Sequence, residues 1–204
     1  MPESQQQPVW HLMVLMPLTF YMYIFYWANK TWRQLRREAI AELPDSGDVV
    51  ASRGQDEHQP RVVSGEALSL FRNINPGLRT IGLFVPFLQI YVLAILVLGI
   101  ANLVPNANSF PRRHPLLACG LTVGSFFALT SLSKLPQPYF MLALLAPMAL
   151  CFAQHWLNQY WVSVEPENTI VRHGFNGGEM VAIIIGAVLL GCVTAGTMIG
   201  VRLH

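Results

Sequence analysis

The sequence predicts an all-α, polytopic helical membrane protein with about five transmembrane helices and an internal helix-pair repeat. Three observations predict it. Of 204 residues, 53% are apolar and only 12% charged, with a mean hydropathy of +0.41, whereas soluble domains carry about 25% charged residues. Fifteen of the 24 charged residues fall between Lys30 and Arg79. That leaves long, nearly uncharged stretches of the ~20 residues a helix needs to cross a hydrocarbon core. Finally, W-x-N-x-x-W occurs twice, as Trp27, Asn29, Trp32 and as Trp156, Asn158, Trp161. Each copy closes an apolar segment, and each is followed by an Asn-x-Gly that opens another: Asn75-Pro76-Gly77 and Asn176-Gly177-Gly178.

The first predicted span is 9–28, with Pro17 kinking its middle by removing a helix hydrogen bond. Its second half is dense in rings from Phe20 to Trp27, the composition of an interfacial aromatic belt. No basic residue or small-residue cleavage site precedes it, so it is expected to be retained. Residues 29–41 continue as a basic juxtamembrane helix, with Arg33, Arg36 and Arg37 beside Trp32, Leu35 and Ala39. A solvated charged face explains it more simply than specific lipid recognition. Residues 42–65 are polar, of mixed charge and without aromatics, the composition of a disordered loop. Ser64 is expected to cap a short amphipathic helix carrying Leu68, Phe71 and Ile74 on one face. The Asn75-Pro76-Gly77 turn then leads into a second span from about Thr80 to Val104, containing Pro86 and Gln89. Segment 105–161 forms a helical hairpin, its third and fourth spans (115–132 and 139–161) joined across Pro136-Gln137-Pro138, where two prolines force a turn. A polar loop at 162–177 precedes the last span, 178–201.

Orientation follows from basic residues near span ends. Lys30, Arg33, Arg36, Arg37, Arg72 and Arg79 put the 29–79 segment in the cytoplasm of a cell inner membrane, with the N-terminus outside. Five full spans put eight basic residues inside and three outside. A re-entrant 115–132 segment gives seven against four and brings both W-x-N-x-x-W copies to one face. The charge count favours five spans; the repeat favours four plus a re-entrant hairpin.

The aromatic run into Tyr26-Trp27 and Trp32, Asn73-Ile74-Asn75-Pro76-Gly77, Leu135-Pro136-Gln137-Pro138-Tyr139, Trp156-Leu157-Asn158-Gln159 and Phe175-Asn176-Gly177-Gly178-Glu179 follow one another in this order. The chain thereby resembles a widespread group of small bacterial multi-pass membrane proteins catalogued only as a domain of unknown function. The resemblance covers most of the chain apart from the 42–65 loop, on motifs of moderate specificity. It implies the multi-pass fold and no activity, cofactor or catalytic residue. Members of the group are more basic after the second exit motif, where this chain has Val162-Ser163-Val164-Glu165, which weighs against a cytoplasmic loop there.

Candidate binding residues are few. His11 and His155 are the histidines at membrane depth, and a facing pair would suit a haem or pigment metal; interfacial hydrogen bonding explains each more simply. Gln89 and Gln154 are polar residues inside spans, functional candidates by default, although interhelical bonding accounts for them as well. No charged side chain occupies the middle of any span, which counts against a proton-coupled transporter. Glu179 reads as a charge favourable to a helix N-terminus. Gly120-x-x-x-Gly124 and Gly196-x-x-x-Gly200 are small-residue faces for close helix packing, within the chain or at an oligomer seam. The Trp and Asn residues of the repeat fit helix ends at the membrane interface, the indole N–H groups facing headgroups.

The three cysteines, Cys119, Cys151 and Cys192, lie within spans without C-x-x-C and read as small apolar residues. No nucleotide, nucleophile or metalloprotease motif occurs. A net charge of +2 without a basic aromatic stripe excludes nucleic acid. The expectation is a non-enzymatic membrane protein without cofactor or metal, its partners the lipid bilayer and other membrane proteins or further copies of itself. It would act as a scaffold, accessory or assembly subunit. A small permease built around Pro86, Gln89 and Gln154 is the alternative, and a haem- or pigment-binding subunit using His11 and His155 a third.

Overall fold

Proline opens four of the nine α-helices among the described residues. The computed structural model describes residues 4–19, 22–41, 65–136, 139–165, 174–175 and 177–202, and among these it is all-helical. The elements are α1 (Val9–Leu18), α2 (Tyr23–Ala41), α3 (Gly65–Arg72), α4 (Pro76–Gly82), α5 (Pro86–Leu103), α6 (Phe110–Arg113), α7 (Pro115–Ser131), α8 (Pro147–Val164) and α9 (Gly177–Arg202), with 3₁₀ segments at Leu132–Lys134 and Tyr139–Leu145. Pro76, Pro86, Pro115 and Pro147 each open a helix, where the missing N–H would have lacked a partner anyway. Asn75 caps α4, its Oδ1 accepting from the N–H groups of Gly77 and Leu78.

Two expected boundaries shift for this reason, and a third shifts at Thr19. The second span begins at Pro86, not near Thr80, because Val85 is extended (φ −96°, ψ 117°) as the residue before proline prefers. The fourth helix begins at Pro147, after 3₁₀ segment Tyr139–Leu145. The largest change is at 9–28, which is two helices instead of one kinked span. The Thr19 hydroxyl donates to Leu15 O and accepts from Tyr23 N–H, ending α1 and starting α2. The chain then doubles back: Lys30 Nζ lies 3.3 Å from Gln7 Oε1, two residues that a continuous helix would hold roughly 35 Å apart.

Contacts fix the remaining directions. Glu165, just after α8, accepts from Ser4, Gln5 and Gln6, so α8 runs antiparallel to α1. Glu179 of α9 lies beside His11 and Gly186 against Leu18, so α9 runs parallel to α1. A Cβ on Gly186 would lie 2.7 Å from Leu18 O; only glycine permits that approach. The α5 and α7 helices pack through Val92, Leu96 and Val97 against Cys119, Val123 and Phe126 in one continuous core. The amphipathic α3 buries Leu68 and Phe71 as expected, with Ile74 packed against the same core. The Phe71 ring tip occupies the space a Cβ on Gly99 would need, 2.3 Å away.

Two of the described helices are long and apolar enough to cross a membrane, Pro86–Leu103 and Pro115–Lys134. The outside of the bundle is apolar over a wide area, including Phe87, Leu116, Leu121, Phe152 and Ile184. Residues 42–64 of the expected 42–65 loop, the Pro138 turn and Asn176 lie outside the described residues, as do the surroundings of Gly196 and Gly200, while Gly65 is the first residue of α3.

Candidate functional site

The N-terminal segment, α2, α8 and α9 meet at a buried polar cluster built around Gln7, which is 3% exposed. Its side-chain amide donates to Tyr23 OH at 2.7 Å, and its Oε1 accepts from Lys30 Nζ. Its backbone carbonyl accepts from Asn158 Nδ2 (2.8 Å) and Gln154 Nε2 (3.3 Å), and its N–H donates to Asn158 Oδ1. Gln154 Nε2 also donates to Asn158 Oδ1 at 2.8 Å, while Gln154 Oε1 accepts from Trp27 Nε1 at 2.7 Å. Donor and acceptor roles close consistently, as buried polar groups require.

At one edge lies Glu179, 0% exposed. Its carboxylate accepts from Tyr23 OH at 3.3 Å, with His11 Nδ1 at 3.7 Å and Lys30 Nζ at 3.9 Å. Glu179 and His11 are fully buried, whereas the Lys30 side chain is 21% exposed and reaches the cluster from outside. The His11 ring stacks on Phe175 at 4.3 Å and meets the edge of Trp10. A buried carboxylate needs compensating charge and hydrogen bonds, and Lys30 and Tyr23 supply both. Chemically the cluster can hold four chain segments in register, and it gathers four titratable groups, His11, Tyr23, Lys30 and Glu179, at one point.

The predicted residues divide sharply. Gln154, Asn158, Trp27 and His11 belong to the cluster or border it. His155 does not: it lies on the exposed side of α8, within reach of Gln159, because one residue past Gln154 turns the helix by about 100°. His11 and His155 therefore do not form a facing pair. Gln89 sits half-buried in the first turn of α5, outside the hydrogen bonds that join Gln154 to its neighbours. Trp27, Trp32 and Trp161 are at most 1% exposed, so they are core residues and not a headgroup belt. Trp156 is half-buried and lines a 230 Å³ apolar cavity between α7 and α8. Asn29 is half-buried beside a groove on α2. Asn75 and Gly77 form the α4 cap, and Gly178 packs under the Tyr26 ring. Gly120 and Gly124 have open space where a Cβ would stand, so they do not serve packing within the chain.

Gln7, Tyr23, Lys30 and Glu179 were not singled out by sequence reasoning as a site. Gln7, Lys30 and Glu179 lie at the edges of apolar segments, where a polar residue looks like ordinary interfacial dressing, and Tyr23 lies within an aromatic run. A carboxylate in the first turn of a 26-residue apolar helix was the available signal. Comparison with protein-family models, curated proteins and solved structures gave no match.

Proposed function

We propose that the chain is a multi-pass inner-membrane protein of non-enzymatic type that acts as a scaffold or accessory subunit by binding other membrane components. The observation that carries this reading is the distribution of polarity. The polar side chains of Gln7, Tyr23, Gln154, Asn158 and Glu179 are turned inward and bonded within one cluster, while large apolar side chains of α4, α5, α7, α8 and α9 point outward. Exposed apolar surface on that scale marks a membrane or protein interface. The outward-facing Gly120 and Gly124, beside exposed Leu117 and Leu121, suit close approach by a helix of another subunit.

On this reading α5, α7, α8 and α9 lie in the bilayer, and α1–α2 enters and returns at one end. The contact between Lys30 and Gln7 supports a hairpin over a full first span at 9–28. Basic residues gather at the cluster end, with Lys30, Arg33, Arg36 and Arg37 on α2 and Arg112 and Arg113 beside the C-terminal end of α5. The positive-inside rule makes this end cytoplasmic, and the N-terminal segment goes with it. Membership of the small multi-pass group resembled by the sequence is part of this proposal.

The experiment is carbonate extraction of membranes followed by purification in mild detergent. Retention in the carbonate-washed membrane and a particle mass above that of the monomer are expected. Release by carbonate, or recovery as a clean monomer, counts against the reading. A small permease remains a second reading because Glu179, His11 and Lys30 form a buried ionisable group of the kind that marks ion pathways. It predicts solute flux in proteoliposomes that Glu179→Gln abolishes.

A further inference from the structure

A groove of about 640 Å³ runs along α2, lined by Phe25, Tyr26, Asn29, Lys30, Arg33 and Arg37, with Thr80 and Phe84 on its far wall. Its lining is graded. Phe25 stacks on Phe84 at 4.1 Å and 14° at the apolar end, Asn29 and Lys30 follow, and Arg33 and Arg37 close the basic end. Lys30, Arg33 and Arg37 share one face because residues three and four apart on a helix are neighbours. From Phe25 to Arg37 the groove covers about 18 Å of helix axis. Arg33 and Arg37 are exposed, and no ion pair among the described residues engages either. Lys30 lines the groove with its stem and turns its ammonium toward Gln7 and Glu179.

We propose that this groove binds one anionic phospholipid, its phosphate on Arg33 and Arg37 and its acyl chains along Phe25, Tyr26 and Phe84. The proposal deepens the membrane-binding reading and rests on it. Charge complementarity selects the occupant: two guanidiniums that no carboxylate among the described residues engages present fork geometry suited to phosphate. The order apolar, polar, basic along α2 repeats the order acyl chain, glycerol, phosphate in the lipid. Because Lys30 joins the groove to the Glu179 cluster, an occupied groove adds a negative charge next to the cation that compensates Glu179.

The test is native mass spectrometry of the full chain in detergent, titrated with phosphatidylglycerol or phosphatidylcholine. The wild type is expected to bind one phosphatidylglycerol in preference to phosphatidylcholine. The Arg33→Gln/Arg37→Gln variant should lose about thirtyfold in that affinity, the effect of two basic groups facing anionic lipid. Arg112→Gln/Arg113→Gln should keep it. Melting temperatures equal to wild type verify that both variants fold. Equal binding of the two lipids by wild type, or an undiminished preference in Arg33→Gln/Arg37→Gln, overturns the proposal. Displacement of the lipid by millimolar glycerol phosphate or inorganic phosphate overturns it in favour of a soluble anion. Carbonate release would sink the membrane reading separately, since the detergent titration needs no membrane insertion.

Discussion

In the first W-x-N-x-x-W copy both indoles are fully buried, Trp27 against the polar cluster and Trp32 against Phe71 at 5.4 Å, while Asn29 stays half-buried beside the basic groove. The second copy reverses the roles. Asn158 bonds to Gln7 and Gln154 in the cluster, Trp161 is buried, and Trp156 stands half-buried at the α7–α8 cavity. Residues five apart on a helix lie about 140° from each other, so the pattern prescribes two different faces and not one interface. Which of the three residues carries the structural load depends on the neighbouring helix. The same spelling thus gives a Trp-centred joint in one copy and an Asn-centred joint in the other.

That contrast can be broken by substitution, read as thermal unfolding in mild detergent. Trp27→Ala should cost about 3–5 kcal/mol, as for a fully buried aromatic, whereas Trp156→Ala should cost well under half of that; equal losses would dissolve the distinction. Gly99→Val drives a branched side chain into the Phe71 ring that supports Trp32, and overpacking of this kind costs about 1–3 kcal/mol. No loss would mean that α3 does not pack there. Asn158→Ala removes three part-buried hydrogen bonds and should cost about 1–2 kcal/mol, while Asn29→Ala should stay within about 0.5 kcal/mol. The smallest effect is the coupling between Trp27→Phe and Gln154→Leu in a double-mutant cycle, about 0.6 kcal/mol and at most about 1.7 for a bond between helices in a membrane. A coupling of zero would remove that bond from the account.

Much of the helical layout was legible in the sequence. The amphipathic α3 followed from Leu68, Phe71 and Ile74, and α7 and α9 from uninterrupted apolar runs. Prolines were read less well. Pro86 and Pro147 fall inside the expected spans 80–104 and 139–161, although each opens a helix. The reversal between α1 and α2 was not legible, since hydropathy along 9–28 is the same for a kinked span and a hairpin. Only the pairing of Gln7 with Tyr23 and Lys30 distinguishes them. The cluster was half legible: Gln154 and His11 stood out as polar residues at depth. Glu179 and Lys30 sit at segment ends, where local pattern does not reveal burial.

The central claim is that both W-x-N-x-x-W copies meet the cluster at one end of the bundle and, in the membrane, face one side. Single cysteines at Arg36 and Ser163, both exposed, in a background lacking Cys119, Cys151 and Cys192, test it directly with a membrane-impermeant thiol reagent on oriented vesicles. Both are predicted to label from the same side. Labelling from opposite sides would contradict the account.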